Sequence, residues 1–274
     1  MAERAKRIPN VVSIAGVDPS GGAGILADVK TMSACGVYAC GVVTALTAQN
    51  TRGVFGISGV TADFVAKQID VLFEDVEISA VKIGMLADAQ IIEAVADGLE
   101  RHSPKFVVVD PVMVAKSGDR LLEEEALNAL RTRLLPIADV ITPNLPEALE
   151  LLGIPEGDAV PNPVEIAERL SEMLRENGSV LLKGGHMPGN VCTDYLYCAG
   201  SLSKFEAKRF ETKNTHGTGC SLSSALAAYL ALTGDVGESV RMAKEFITGA
   251  IVNSGRLDVG SGHGPTHAFW NTWM

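Results

Sequence analysis

Short apolar runs alternate along most of the chain with stretches whose apolar residues recur every three or four positions. A strand buried on both faces reads as a continuous apolar run, so this alternation predicts a parallel sheet covered by helices. The predicted strands are the runs at 11–15, 41–46, 80–83, 106–110, 140–142 and 179–182. Between them, Phe64, Val65, Ile69 and Leu72 form one helical face, and Leu127, Leu130 and Leu134 form another that Pro136 should stop. Near 191–197 and 203–210 the period falls to two, which predicts an antiparallel pair at one sheet edge, with Cys192 and Cys198 sharing a face in a packing role. Two long helices close the chain. One starts near residue 217 and carries Leu222, Leu226 and Leu230, and the next carries Val240, Ala243, Ile247 and Ala250. The Pro/Gly-rich stretch 153–163 reads as a loop too short for a domain linker, and no internal repeat is visible. The expected fold class is α/β, a doubly wound, mostly parallel central sheet with helices on both faces and a small antiparallel edge. It would form one domain over 1–274 behind a short charged tail at 1–7.

Composition narrows the partners. With 47% apolar and 20% charged residues in 274, the chain has ample core material and no disorder signature. The net charge of −10 argues against nucleic acid or an anionic membrane as the main partner. No apolar run reaches the roughly 20 residues needed to cross a bilayer, and the charged start lacks the pattern of a signal peptide, so a cytoplasmic location is expected. The five cysteines form no Cys-x-x-Cys pair and no zinc spacing, which suits reduced thiols. Four of them sit among apolar neighbours and are expected to be plain core residues.

In open α/β sheets ligands bind beyond the carboxyl ends of the strands. The six predicted strands run into Gly16-Val17-Asp18-Pro19-Ser20-Gly21-Gly22-Ala23-Gly24, Thr47-Ala48-Gln49-Asn50, Gly84-Met85, Asp110-Pro111-Val112-Met113, Thr142-Pro143-Asn144-Leu145-Pro146-Glu147 and Lys183-Gly184-Gly185-His186. Turns favour Gly, Pro, Asn and Asp in any case, but six such ends holding a lysine and two carboxylates point to a ligand crevice. The strongest single segment is Asn214-Thr215-His216-Gly217-Thr218-Gly219-Cys220-Ser221, which opens the Leu222 helix. Glycines there let a ligand approach the backbone, and the free N–H groups of a helix start favour an anion, such as a phosphoryl group in transfer. A Gly-rich turn with a threonine cap is the plain alternative.

Cys220 falls in the first turn of that helix, where the dipole should lower a thiol pKa of about 8.5 and raise a thiolate fraction of about 3% at neutral pH. It is a candidate base or polar positioner for an attacking hydroxyl, or a structural residue. Asp110 and Glu147 suit Mg²⁺ held partly through water, or helix capping. Lys183 suits nucleotide phosphates, or a solvated edge. Two familiar motifs fail. Gly22-Ala23-Gly24-Ile25-Leu26-Ala27 matches a relaxed dinucleotide fingerprint, yet no acid occurs between Asp28 and Asp63 to bind the ribose, and the chain contains no Gly-Lys-Ser/Thr for a Walker loop.

Taken together these segments resemble the hydroxymethylpyrimidine/phosphomethylpyrimidine kinases of thiamine biosynthesis, in the ribokinase-like superfamily. The likeness runs in order from about residue 8 to 270 and includes Ala48-Gln49-Asn50-Thr51-Arg52-Gly53-Val54, Lys82-Ile83-Gly84-Met85-Leu86 and Ala115-Lys116-Ser117-Gly118. It implies ATP-dependent phosphorylation of 4-amino-5-hydroxymethyl-2-methylpyrimidine and then of its monophosphate, with Mg²⁺, in a homodimer. It implies that Gln49, Gly16, Asp18, Met85 and Val112 serve the pyrimidine, and that Asn144, Lys183 and Thr215 serve ATP. Asp110 and Glu147 would then hold the metal, and Gly217, Thr218, Gly219 and Cys220 would form the catalytic anion hole. A side-chain amide both donates and accepts, so Gln49 can match a ring nitrogen and its neighbouring amino group. The wider superfamily places Asp where this chain has Cys220, whereas the pyrimidine kinases carry Cys. A pyridoxal or pyridoxine kinase of the same superfamily and a non-catalytic pyrimidine sensor are the alternatives.

Overall fold

The computed structural model describes residues 7–113, 123–155, 157–185 and 189–273; the expected motif at 115–118 and His186 lie outside the described residues. The described strands form one sheet in the order β3-β2-β1-β4-β5-β6-β7-β8-β9. Five are parallel neighbours of the central strand β1 or of one another: β2 (Tyr38–Asn50), β4 (Ile78–Ile83), β5 (Val107–Val109), β6 (Val140–Ile141) and β7 (Ser179–Leu182), with β1 spanning Asn10–Val17. The chain leaves β1 for β2 on one side and crosses back to β4 on the other, so a switch point opens at the carboxyl ends of β1 and β4.

Parity along the strands sorts side chains between two cores. Val12, Ile14, Val81 and Ile83 face α2 (Ala62–Asp75), α3 (Ala89–His102), α4 (Glu124–Ala129), α5 (Leu145–Leu151) and α6 (Pro163–Ser171). Val11, Ala80 and Val108 face α1 (Gly24–Ala34), α7 (Thr218–Thr233) and α8 (Val236–Val252). Burying each such Val, Leu or Ile contributes about 1.5–3 kcal/mol. The side facing α1 and α7 is unusual because Ser13 and Lys82, both fully buried, point the same way as Val11 and Ala80.

Two elements and one cysteine differ from the sequence expectation. The second strand does not end at residue 46: it continues through Gln49 to Asn50, turns at Thr51 and Arg52, and returns as the antiparallel edge strand β3 (Gly53–Gly59). The missed signal is local, since Asn50 Oδ1 accepts the Arg52 N–H (2.9 Å) and closes a tight turn. The winding after α4 is not stopped by Pro136. It widens to a π turn at 130–134 and tightens to a 3₁₀ turn at 135–137, where a missing N–H in the first turn costs little. The expected edge pair is present as β8 (Val191–Cys198) and β9 (Ser201–Lys208), joined by Ala199 (φ 49°) and Gly200 (φ 74°) in the left-handed geometry of a tight hairpin. Cys192, expected among apolar residues, instead places its sulfur 3.7 Å from Lys244 Nζ, because Lys244 enters from α8 to pair with Asp194 at 2.7 Å. Among the described residues no helix is long and apolar enough to cross a membrane.

Candidate active site

Two glycine-bearing segments cross at the carboxyl edge of the sheet. The loop after β1 is built by Asp18, whose Oδ1 accepts the Ser20 N–H (2.9 Å) and whose Oδ2 accepts Ser20 Oγ (2.9 Å) and the Ala23 N–H (3.0 Å). The same Oδ2 lies 2.7 Å from His216 Nε2, which reaches over from just before α7. Burial pushes the Asp18 carboxyl up, but the bonds from His216 and Ser20 outweigh it and hold the group below the ordinary aspartate value. Asp18, expected beside the substrate, is buried with both oxygens engaged in this loop.

At Gly217 the chain takes a left-handed φ of 73°, and a side chain there would run into the Gly22 carbonyl. Ser221 N–H is the first to close onto Gly217 O (2.8 Å), so the amides of Gly219 and Cys220 precede the helical ladder. Thr218 is held by its own side chain, which donates to Thr215 O (2.8 Å). A side chain added at Gly219 would point toward Lys183 Nζ and Asp110 Oδ2, at 3.5 and 3.6 Å. The start of α7 therefore faces the ends of β5 and β7.

The charged groups at those ends form one cluster. Asp110 Oδ1 accepts from Lys183 Nζ (2.8 Å) and Thr142 Oγ1 (3.0 Å), and its Oδ2 accepts from Ser223 Oγ (3.3 Å). Lys183 Nζ also lies 3.7 Å from Glu147 Oε2. Asn144 and Glu147 form a reciprocal capping box at the start of α5, with bonds of 2.9 and 2.8 Å. Burial raises Asp110, yet Lys183 and Lys82 outweigh it and hold the carboxyl low. Burial raises Glu147, and Asp110 adds to the effect against Lys183 and the Asn144 amide. Burial lowers Lys183, but Asp110 and Glu147 more than offset it. Asp110, Glu147, Lys183, Asn144 and Gly219 are thus brought together as the sequence pattern suggested.

Cys220 departs from expectation. Its thiol is pushed up to about 11, first by burial and then by Asp28 and Asp110, against Lys82 and the backbone at Gly24. Desolvation outweighs the helix start here, so the group rests as a neutral thiol. The pyrimidine candidates come from the ends of β1, β2, β4 and β5. Gly16 packs against Met85, whose sulfur would be 3.4 Å from an added side chain. Gln49 Oε1 accepts from Thr47 Oγ1 (3.1 Å) on β2, and Val112 follows Asp110 half-buried at the end of β5.

The family model described as phosphomethylpyrimidine kinase matches residues 18–267, which include every element of this site except Gly16. The chain belongs to the phosphomethylpyrimidine kinase family. It is 49% identical to the hydroxymethylpyrimidine/phosphomethylpyrimidine kinase of Escherichia coli, over 98% of this chain and 100% of that one. The crystal structure of phosphomethylpyrimidine kinase from Clostridium difficile superposes with a TM-score of 0.77 at 41% identity, covering 89% of this chain and all of the other. An ADP complex of Bacillus subtilis pyridoxal kinase superposes with a TM-score of 0.86 at 34% identity, covering 97% and 100%. The chain is a kinase, with the ribokinase-like fold expected of it.

Several groups that shape the kinase site were not singled out from sequence. His216 locks Asp18. Lys82 and Asp28 form a fully buried ion pair at 2.8 Å. The segment 260–266 clamps both the β2–β3 turn and α7: Gly262 N–H donates to Thr51 Oγ1 (3.1 Å), His263 N–H to Thr51 O (2.9 Å), and His216 N–H to Gly264 O (3.0 Å). The alternating glycines of Val259-Gly260-Ser261-Gly262-His263-Gly264 are the signal that would have found it. Among the described residues no cluster of three His, Cys, Asp or Glu could hold a metal ion. Two buried carboxylates are nonetheless the donor set Mg²⁺ takes when waters and phosphates complete its shell, so Asp110 and Glu147 fit that ion.

Replacing Asp18 with Asn should cost about 1–3 kcal/mol at neutral pH, because a charge-assisted buried pair is lost. Its folded pKa is depressed, so its stabilisation is present above the ordinary aspartate value of 3.8 and disappears as pH falls through the folded value. Urea unfolding of wild type and Asp18→Asn from pH 7 to pH 3 should show the difference shrinking below that point; a difference independent of pH would remove the ionised Asp18 carboxylate from the account.

Proposed function

We propose that this kinase transfers the γ-phosphoryl group of ATP to the hydroxymethyl oxygen of 4-amino-5-hydroxymethyl-2-methylpyrimidine, and a second phosphoryl group to the monophosphate so formed, in thiamine biosynthesis. The observation that carries the reading is the convergence of the unladdered amides of α7 with Lys183 on one space in front of Gly219. Phosphoryl transfer needs positioning and charge stabilisation far more than covalent help from the protein, and this geometry supplies both. The stronger identity to pyrimidine kinases favours them over pyridoxal kinases as models for the acceptor. A non-catalytic sensor is disfavoured because Asp110, Glu147, Lys183 and the 217–220 segment are all retained.

In this reading Gln49 bonds to the pyrimidine edge, Gly16, Met85 and Val112 form its apolar walls, and Asp18 holds the loop that closes over it. Lys183, with Asn144 and Thr215, receives the nucleotide phosphates. Asp110 and Glu147 hold Mg²⁺, which when bound neutralises phosphate charge. Gly217 and Thr218 shape the turn that presents the Gly219 amide to the migrating group, and Cys220 orients the attacking hydroxyl. The raised thiol pKa makes Cys220 a hydrogen-bonding partner at rest rather than a standing thiolate. Free cysteines throughout the described chain suit a reducing cytoplasm. A homodimer would cover the outer edge β3, where Phe55 is 70% and Ile57 48% exposed on a strand with no outer partner.

Mass spectrometry of the pyrimidine alcohol incubated with Mg-ATP should reveal both mono- and diphosphate; preferential conversion of pyridoxine at matched concentration would defeat the assignment. Gly219→Val places a branched side chain between Lys183 and the helix start. It should cut turnover at least about 100-fold, the cost typical of losing one anion-stabilising donor, while thermal unfolding changes little. Near-normal turnover would move the phosphate elsewhere. For the assembly, Phe55→Glu with Ile57→Lys should convert a dimer to a monomer by light scattering, and an unchanged dimer mass would place the interface off β3.

A further inference from the structure

Lys82 is a lysine with no exposed surface, on a strand whose neighbours are apolar. Its ammonium bonds to Asp28 Oδ2 (2.8 Å), which also accepts from Ser13 Oγ (2.6 Å), while Asp28 Oδ1 accepts from Ser224 Oγ (2.7 Å). Every oxygen of Asp28 is thus satisfied by an element packed on it: β1, β4 and α7. A buried pair of this kind adds little net stability compared with apolar residues of similar volume, since desolvating two ions consumes most of their attraction. Stability alone gives no reason for it.

Its position does. A side chain at Gly84 would lie 2.7 Å from Lys82 Nζ, so the lysine runs along β4 toward the carboxyl edge of the sheet, into room that only a glycine leaves. Helices α1 and α7 meet above it in two layers one turn apart. Asp28 on α1 meets Ser224 on α7, and one turn back along each helix lie Gly24 and Cys220. Lys82 is therefore delivered to the floor under Cys220. The charged groups around that sulfur are Lys82 from β4, Asp28 from α1, Asp110 after β5 and Lys183 after β7.

We propose that Lys82 is a positioning residue of the reaction: anchored by Asp28, its ammonium is a permanent positive charge beneath Cys220 that stabilises negative charge gathering on that sulfur and on the hydroxyl oxygen it orients. The inference deepens the proposed function and rests on its reading of Cys220. A lysine paired by one carboxylate keeps its proton across the working range, and the burial that strengthens its field also fixes its location. Lys82 acts through Cys220 and does not touch substrate.

The sign of two substitutions separates this role from a structural one. Lys82→Met removes the cation and should slow iodoacetamide alkylation of Cys220 at pH 8.5 about tenfold, equivalent to about one pKa unit. Asp28→Asn removes the opposing anion and should speed it. Peptide-resolved mass spectrometry isolates Cys220 from Cys35, Cys40, Cys192 and Cys198. If Lys82→Met leaves Asp28 too poorly matched to fold, the neutral pair Lys82→Met with Asp28→Asn takes its place and should still slow alkylation severalfold. In turnover, the variant lacking the cation should lose at least tenfold in kcat with KM for both substrates within about twofold. Rates at Cys220 that stay within twofold of wild type, or that move in the same direction in the cation and anion variants, would overturn the proposal. Alkylation is read without turnover, so a kinase that prefers another alcohol leaves this result standing, and a failed pyrimidine assay is told apart from a failed charge coupling.

Discussion

Where Gly217 turns the chain into α7, the carbonyl of Gly22 occupies the place in which any side chain would begin. That backbone-on-backbone contact sets the distance between the loop after β1 and the start of α7, and the Asp18–His216 pair on its flank sets the angle. Two segments almost two hundred residues apart are joined there with no side chain between them. The amides of α7 consequently open at the level of the strand ends rather than above them. The 260–266 segment fixes the other side of the same crossing through His216 and ties it to the β2–β3 turn. The two ends of the candidate site are thereby held in one frame.

The charges below that frame come in matched sets. Lys82 is committed to Asp28, and Lys183 is shared by Asp110 and Glu147. Sharing makes Lys183 available: its 3.7 Å approach to Glu147 is a loose one, and a phosphate oxygen can compete with Asp110 for a donor that has three protons. Lys82 has no such freedom, with no exposure and no anion able to reach it. The two lysines therefore suit different work, one meeting a ligand and the other maintaining a field. Glu147, raised by burial and by Asp110, is the carboxylate with most to gain from a further cation nearby.

The parallel sheet was legible because its central strands are largely buried on both faces and leave short apolar runs. The candidate crevice was suggested because small, polar or ionisable residues follow nearly all of those runs at their carboxyl ends. What escaped was anything carried by pairing across long separations. Asp18 and His216 each look like ordinary loop residues, and only the fold reveals that they meet. Lys82 reads as part of the motif Lys82-Ile83-Gly84-Met85-Leu86, and nothing local to it indicates Asp28, fifty-four residues earlier, as its partner. The thiol of Cys220 was misjudged for a related reason: a helix start is visible in sequence, whereas the desolvation that overrides it depends on α1 packing over the sulfur. The extension of β2 was missed because beyond Leu46 it pairs only with the edge strand β3 and loses the burial that marks the central strands.

Overall superposition does not by itself select the substrate of this kinase. It superposes both on a pyridoxal kinase (TM-score 0.86 over 97% of this chain) and on a phosphomethylpyrimidine kinase (0.77 over 89%), while its sequence agrees better with the latter. The sheet and its helices answer to burial, which many apolar sequences satisfy, while acceptor choice answers to a few side chains at the strand ends. On the proposed function, the phosphate end is built from backbone amides and a lysine and would suit any small alcohol delivered to it. Discrimination would then fall to the proposed pyrimidine side, where Gly16 lies against Met85 and the Gln49 amide offers a donor beside an acceptor. Gln49 is held by Thr47, which in turn bonds to Val17 O (2.9 Å) at the end of β1. The residue assigned to read the ring is thus anchored to the strand that begins the phosphate loop, and a shift at one end of the site is felt at the other.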